Sequence, residues 1–221
     1  MKPSYRNFVV LAALGAALSA SAGSFDDFFR AVKSDDASSV RSLVQKGFDP
    51  NTRDAYSQTG LLIAIKEPSP RVFEVLLASP KTNVDALNSK DESPLMLAAL
   101  KGTQEQVNAL LQRDAAVNKT GWAPLHYAAT TGQVAIMKQL LDKFAFIDAQ
   151  SPNGSTPLMM AAMYGTGEAV KLLLDEGADM TMKNEQGMTA ADFAARAKRP
   201  DAVKLLAAAK AASRSTTPGK W

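Results

Sequence analysis

A single histidine, His126, and the absence of cysteine bound the chemistry open to this 221-residue chain. Without a thiol there is no disulfide, no thiolate zinc site, no cysteine nucleophile and no lipid anchor on cysteine. With one imidazole, any site built on two histidines is excluded. Acidic residues are scattered, and no loop gathers the dense oxygen ligands that calcium requires. No glycine-rich phosphate loop and no Gly-x-Ser-x-Gly is present. Ser34-Asp35-Asp36 reads as a helix cap rather than a catalytic dyad. The one dense cluster of reactive atoms is sulfur: Met159, Met160, Met163, Met180, Met182 and Met188 are six of nine methionines within thirty residues. Such a cluster can be plastic core packing, an adaptable apolar contact surface, or a Cu(I) thioether site through Met160 and Met163. Sulfoxide formation would damage it in any of the three cases.

The net charge of +3 comes from the two ends. Residues 1–22 and 207–221 carry five basic and no acidic residues, which leaves 20 basic against 22 acidic in the body. A nucleic-acid reading therefore loses its electrostatic basis. Residues 1–22 have the form of a secretory signal peptide. Lys2 and Arg6 are followed by the apolar run Phe8 to Leu18 and the small-residue signature Ala20-Ser21-Ala22, with cleavage expected after Ala22. The apolar run of eleven residues is short for a span, which needs about 20. The predicted location is the periplasm, with secretion as the alternative.

The elements that must position these residues recur. Ser93-Pro94-Leu95-Met96-Leu97-Ala98-Ala99 returns as Ala123–Ala129, Thr156–Ala162 and Thr189–Ala195, and more loosely as Thr59–Ile65 and Asp26–Val32. The spacings are 33, 34, 30, 33 and 33 residues. A second marker keeps the same period: Leu43-Val44, Leu76-Leu77, Leu110-Leu111, Leu140-Leu141, Leu173-Leu174 and Leu205-Leu206. Each unit reads as helix, short turn, helix and extended loop. Thr156 is a good N-cap with Pro157 at the first helical position. Gly47 and Gly177 stand where a left-handed residue ends the second helix.

These segments resemble the ankyrin repeat. The Thr-Pro-Leu-His-x-Ala-Ala motif is nearly complete at Ala123–Ala129 and Thr156–Ala162, and Leu172-Leu173-Leu174-Asp175-Glu176-Gly177-Ala178-Asp179 matches its second hallmark. The resemblance implies an all-α repeat solenoid of six helix-turn-helix units with projecting hairpin-like loops. The expected organisation is a leader at 1–22, a repeat domain at 23–212 and a disordered basic tail at 213–221. The repeats fall near 24–57, 58–91, 92–121, 122–154, 155–187 and 188–212. For His126 the resemblance implies structural hydrogen bonds between repeats, not catalysis.

Departures from the pattern carry their own expectations. Asn118 to Ala123 is five residues where the comparable loops have eight, so this finger should be stunted. Pro68 and Pro70 replace the usual inter-helix turn of repeat two. Pro80 and Phe144 stand where glycine is usual, and Phe144, disfavoured at positive φ, is expected to end its helix differently. The first and last repeats read as caps.

In this family recognition is built from loop tips and the exposed side of the first helices. Carried over by position, the partner-binding candidates are Tyr56, Gln58, Lys66, Lys90, Glu92, Lys101, Trp122, Thr131, Asn153, Met163, Tyr164, Gln186, Met188 and Arg196. Tyr56, Trp122 and Tyr164 are the aromatic anchors among them. The resulting expectation is a monomeric, non-catalytic module without cofactor or resident metal. It would bind another protein and protect or regulate an envelope enzyme. The alternatives are a Cu(I) or cofactor chaperone using the Met159–Met188 cluster, and a secreted effector or immunity-type protein.

Overall fold

The computed structural model describes residues 23–215. Residues 1–22, assigned above to a signal peptide, and 216–221 of the basic tail lie outside them. Twelve helices are found among the described residues: α1 (23–33), α2 (Ala37–Gln45), α3 (Gly60–Lys66), α4 (Pro70–Ala78), α5 (Pro94–Lys101), α6 (Gln104–Gln112), α7 (Pro124–Thr131), α8 (Val134–Asp142), α9 (Pro157–Tyr164), α10 (Gly167–Asp175), α11 (Ala190–Arg196) and α12 (Pro200–Ser215). They divide into two compact units that meet in sequence between Ser89 and Lys90. This is close to the join between the second and third repeats.

The first unit holds two helix pairs around an aromatic nucleus. Phe28 is wholly buried, stacks on Phe48 at 4.5 Å and meets Phe29 edge-on at 5.2 Å. A Cβ on Gly60 would lie 2.8 Å from the Phe28 ring, so the ring takes the space that the proline fills in other repeats. Asp36 caps α2: its carboxylate accepts the Ser39 amide at 3.1 Å and the Ser38 and Ser39 hydroxyls at 2.6 Å each. Those donors hold its carboxyl well below the usual range. The Pro68-Ser69-Pro70 segment ends α3 in extended backbone at Glu67 and restarts the chain as α4, with proline in its first turn. Pro80 likewise follows an extended C-cap at Ser79.

In the second unit the first helices α5, α7, α9 and α11 pack side by side, as do the second helices α6, α8, α10 and α12. Close approach is possible because Ala98, Ala99, Ala128, Ala129, Ala161 and Ala162 are small and have no exposed surface. The helix starts are built alike. The side chain three residues after the cap turns back to accept the cap's own amide. Sulfur does so in Met96 to Ser93 (3.3 Å) and Met159 to Thr156 (3.4 Å). A carboxylate does so in Asp192 to Thr189 (2.7 Å), and the imidazole Nδ1 in His126 to Ala123 (3.2 Å).

Helix ends follow the glycine logic with one correction. Gly47 and Gly177 take φ of +100° and +90° as expected. Phe144, expected to avoid this region, adopts it at +63°. The end of α8 forms the same paired bonds as its glycine-ended counterparts, Phe144 N–H to Leu141 C=O at 2.8 Å and Ala145 N–H to Leu140 C=O at 2.9 Å. Asn118 then grips both sides of the turn: its Nδ2 donates to Phe144 C=O and its Oδ1 accepts Phe146 N–H, each at 2.8 Å. Tertiary hydrogen bonds override the local preference. At the C-terminus α12 runs 16 residues and continues to Ser215, three residues beyond the expected end of the last repeat. Among the described residues no helix is long and apolar enough to cross a membrane.

Candidate partner-binding surface

The loop tips are shaped by short polar side chains that collect backbone amides. In the first unit Asp54 accepts the amides of Tyr56 (2.8 Å) and Gln58 (2.9 Å), above an isolated antiparallel bridge between Arg53 and Thr59. Tyr56 is left 73% exposed at the tip. Gln58 is half-buried and accepts the exposed Lys66 ammonium through Oε1 at 2.6 Å. These three residues form one small patch of the first unit.

The other predicted residues belong to the second unit. Lys101, Thr131, Tyr164 and Arg196 are the last residues of α5, α7, α9 and α11. Because those helices pack in order, the four side chains make a single exposed row. Tyr164 is 57% exposed. The Arg196 guanidinium lies over the half-buried Met188, Nη1 to sulfur 3.8 Å. Met163, beside Tyr164, is half-buried. The tips of the following loops bring exposed Asn153 and Gln186. Asn153 is committed to its own turn, accepting from the Ser151 hydroxyl at 2.6 Å and the Ser155 amide at 3.2 Å. Gln186 sits on a turn built by the buried Asn184, whose Oδ1 accepts the Gln186 amide at 3.0 Å and the Met188 amide at 2.9 Å.

Trp122 is half-buried, unlike the two tyrosines. Its ring meets His126 edge-on at 5.2 Å and Tyr127 at 6.5 Å, so much of it covers its own helix. Tyr127 in turn donates its hydroxyl to Glu92 at 3.1 Å. Burial and the Glu92 carboxylate push the phenol well above its ordinary value. Lys119 pairs with Asp91 beside it, while Lys90 stays exposed. The five-residue loop is thus tied down by an aromatic and a charged contact.

His126 has no exposed surface. Its Nδ1 accepts from the Ala123 amide, and its Nε2 lies 3.0 Å from the Ser155 carbonyl of the next repeat. That pattern fits the neutral tautomer with its proton on Nε2. Burial pushes the imidazole below its ordinary 6.5. Both nitrogens are engaged by backbone, which leaves the ring a structural strut. Among the described residues no three His, Cys, Asp or Glu side chains gather where a metal ion could sit. Of the methionines, Met159 is buried in its capping bond, while Met160 and Met163 are half-buried.

Two large exposed side chains escaped the positional argument: Phe144 at 84% and Phe146 at 66%. The available signal was two aromatics two residues apart at places that other repeats fill with small or polar residues.

Repeated helix pairs, alanine-lined contacts and capped starts define a helical-repeat protein, and the chain belongs to the ankyrin-repeat family. The family model described as ankyrin repeats (3 copies) matches residues 28–120, 61–151 and 125–216. Among curated proteins, the chain is 34% identical over 115 residues to a glycerophosphocholine phosphodiesterase of Schizosaccharomyces pombe, covering 49% of this chain and 10% of that protein. It is 30% identical over 118 residues to the neurogenic locus notch homolog protein 1 of Xenopus laevis, covering 52% of this chain and 5% of that protein. The chain thus spans a tenth or less of the length of these relatives. Among solved structures, it is similar to a chain from the complex of a predatory endopeptidase of Bdellovibrio bacteriovorus with an immunity protein. The TM-score is 0.71 at 28% identity, covering 82% of this chain and 97% of that one. Ankyrin repeats are protein-interaction modules and are generally non-catalytic, although they also occur as extra domains of enzymes.

Proposed function

We propose that this chain is an exported, non-catalytic binding protein that docks an enzyme of the cell envelope and protects the cell from it or regulates it. The observation that carries the reading is the similarity, over 97% of its length, to a chain from a complex of an endopeptidase with an immunity protein. The leader-like residues 1–22 add export to the reading, and the periplasm is the compartment it favours. The row Lys101, Thr131, Tyr164 and Arg196, with Met163 and Met188 beside it, supplies the contact chemistry. Tyrosine and arginine are the residue types that dominate binding energy at interfaces. Methionine adapts to a partner's shape.

The test is capture from a crosslinked periplasmic extract, followed by assay of each recovered hydrolase with and without the purified protein. The expected result is one enzyme that forms a stoichiometric complex and loses activity in it. A recovered partner with no enzymatic activity would overturn the inhibitory part of the reading and leave the binding part. Recovery of the same proteins by a Tyr164→Ala, Arg196→Ala variant would overturn the assignment of the surface.

A further inference from the structure

The turn that follows each second helix presents two exposed positions on either side of an inward residue. The places are Gly47 and Asp49, Lys81 and Asn83, Asp114 and Ala116, Phe144 and Phe146, and Gly177 and Asp179, all exposed. In four of the five the inward residue closes the turn by the same backbone bond: Phe48 to Leu43, Ala115 to Leu110, Ala145 to Leu140 and Ala178 to Leu173, at 2.8 to 3.1 Å. In the fifth, Asn51 marks the same places by bonding Lys81 C=O and Asn83 N–H, as Asn118 does for Phe144 and Phe146. Only repeat four carries aromatic rings at both exposed places, and it does so with Phe144 in left-handed backbone. Neither choice serves the fold. The rings are not buried, and glycine at position 144 would remove the backbone strain. Strain and exposed apolar surface held together on one turn point to function.

We propose that Phe144 and Phe146 are the anchor of a second protein contact, seated in an apolar pocket of a folded partner. The site is separate from the row of first-helix ends, and the proposal goes beyond the reading given above. Three occupants can be compared. A second copy would offer the same convex pair, and two rings of this size expose about 300 Å², against about 800 Å² per partner in a standard interface. A lipid surface would call for a basic rim, whereas Lys143 is offset here by Asp142 and Asp114. A folded protein with a concave apolar pocket matches a convex, mixed-charge knob. Asn118 holds the turn from both sides, so the rings are preorganised and little freedom remains to be lost on binding.

The experiment places the photo-crosslinking residue p-benzoyl-phenylalanine at position 144 of the full chain in cells. The protein it marks is purified, and its affinity is measured for the wild type, Phe144→Gly, Phe146→Ser and Tyr164→Ala. The expected result is an adduct with a different protein and at least a tenfold weaker complex for both phenylalanine variants. Phe144→Gly should melt no lower than the wild type, which separates lost binding from lost folding. An adduct only with a second copy or with lipid, no adduct, or unchanged affinity in both phenylalanine variants would overturn the proposal. If Tyr164→Ala alone weakens the complex, the proposal fails while the first-helix surface stands.

Discussion

The Nε2 of His126 lies 3.0 Å from the carbonyl of Ser155, so one buried imidazole ties the start of α7 to the loop of the following repeat. With the Ala123 amide on Nδ1, both ring nitrogens satisfy backbone groups that water cannot reach. His126→Ala orphans both groups and should cost about 2–4 kcal/mol in chemical denaturation. His126→Met should cost less. Met96 and Met159 show that a thioether can accept the cap amide, which leaves only the Ser155 carbonyl unpaired.

The same residue sets a pH dependence. Burial lowers its pKa in the folded state below the ordinary 6.5. Below that value the unfolded chain binds a proton that the folded chain refuses. The stability is therefore fully present above about pH 6.5 and is lost as pH falls toward the depressed folded value. Urea midpoints measured from pH 8 to pH 5 should show this decline, and His126→Met should flatten it.

Two glycines should separate crowding from backbone geometry. A Cβ on Gly165 would lie 2.3 Å from the Ala129 carbonyl, at a residue whose φ of −77° is ordinary. Gly165→Ala must push two repeats apart and should cost about 1–3 kcal/mol or more. Gly177 has φ of +90° and no atom within 4 Å of the added Cβ. Gly177→Ala should cost only the backbone strain, about 1–2 kcal/mol. Thermal melts of the two variants give the order directly.

Phe144→Gly should run the other way. Relief of left-handed strain is about 1–2 kcal/mol, and the added freedom of glycine in the unfolded chain offsets about 0.5–1 kcal/mol of it. The variant should be as stable as the wild type or up to about 1 kcal/mol more stable. Leu140→Ala, at a side chain with no exposed surface, should by contrast cost about 2–5 kcal/mol.

Period, helix starts and alanine contacts were legible because each repeat states them independently. Ser93-Pro94, Thr156-Pro157 and Gly177 each did in the structure what its residue type favours. Phe144 was misjudged because a single-residue preference was weighed without Asn118, 26 positions away, whose two bonds hold the turn. Trp122 was taken as a fully available anchor, yet it precedes the cap of α7 and Tyr127 is the fourth residue of that helix. Those are the two places of a hydrophobic staple, and the edge-on contact at 6.5 Å follows from the spacing. Tyr164 and Arg196 could be placed on one row because the ends of α9 and α11 are set by the repeat.

The most direct measurement is the affinity of the purified envelope partner for the wild type and for a Tyr164→Ala, Arg196→Ala double variant, with circular dichroism confirming that both are folded. Loss of two central interface side chains should weaken the complex by about 2 kcal/mol or more, roughly thirtyfold. Equal affinities for the two proteins would contradict the assignment of recognition to the ends of the first helices.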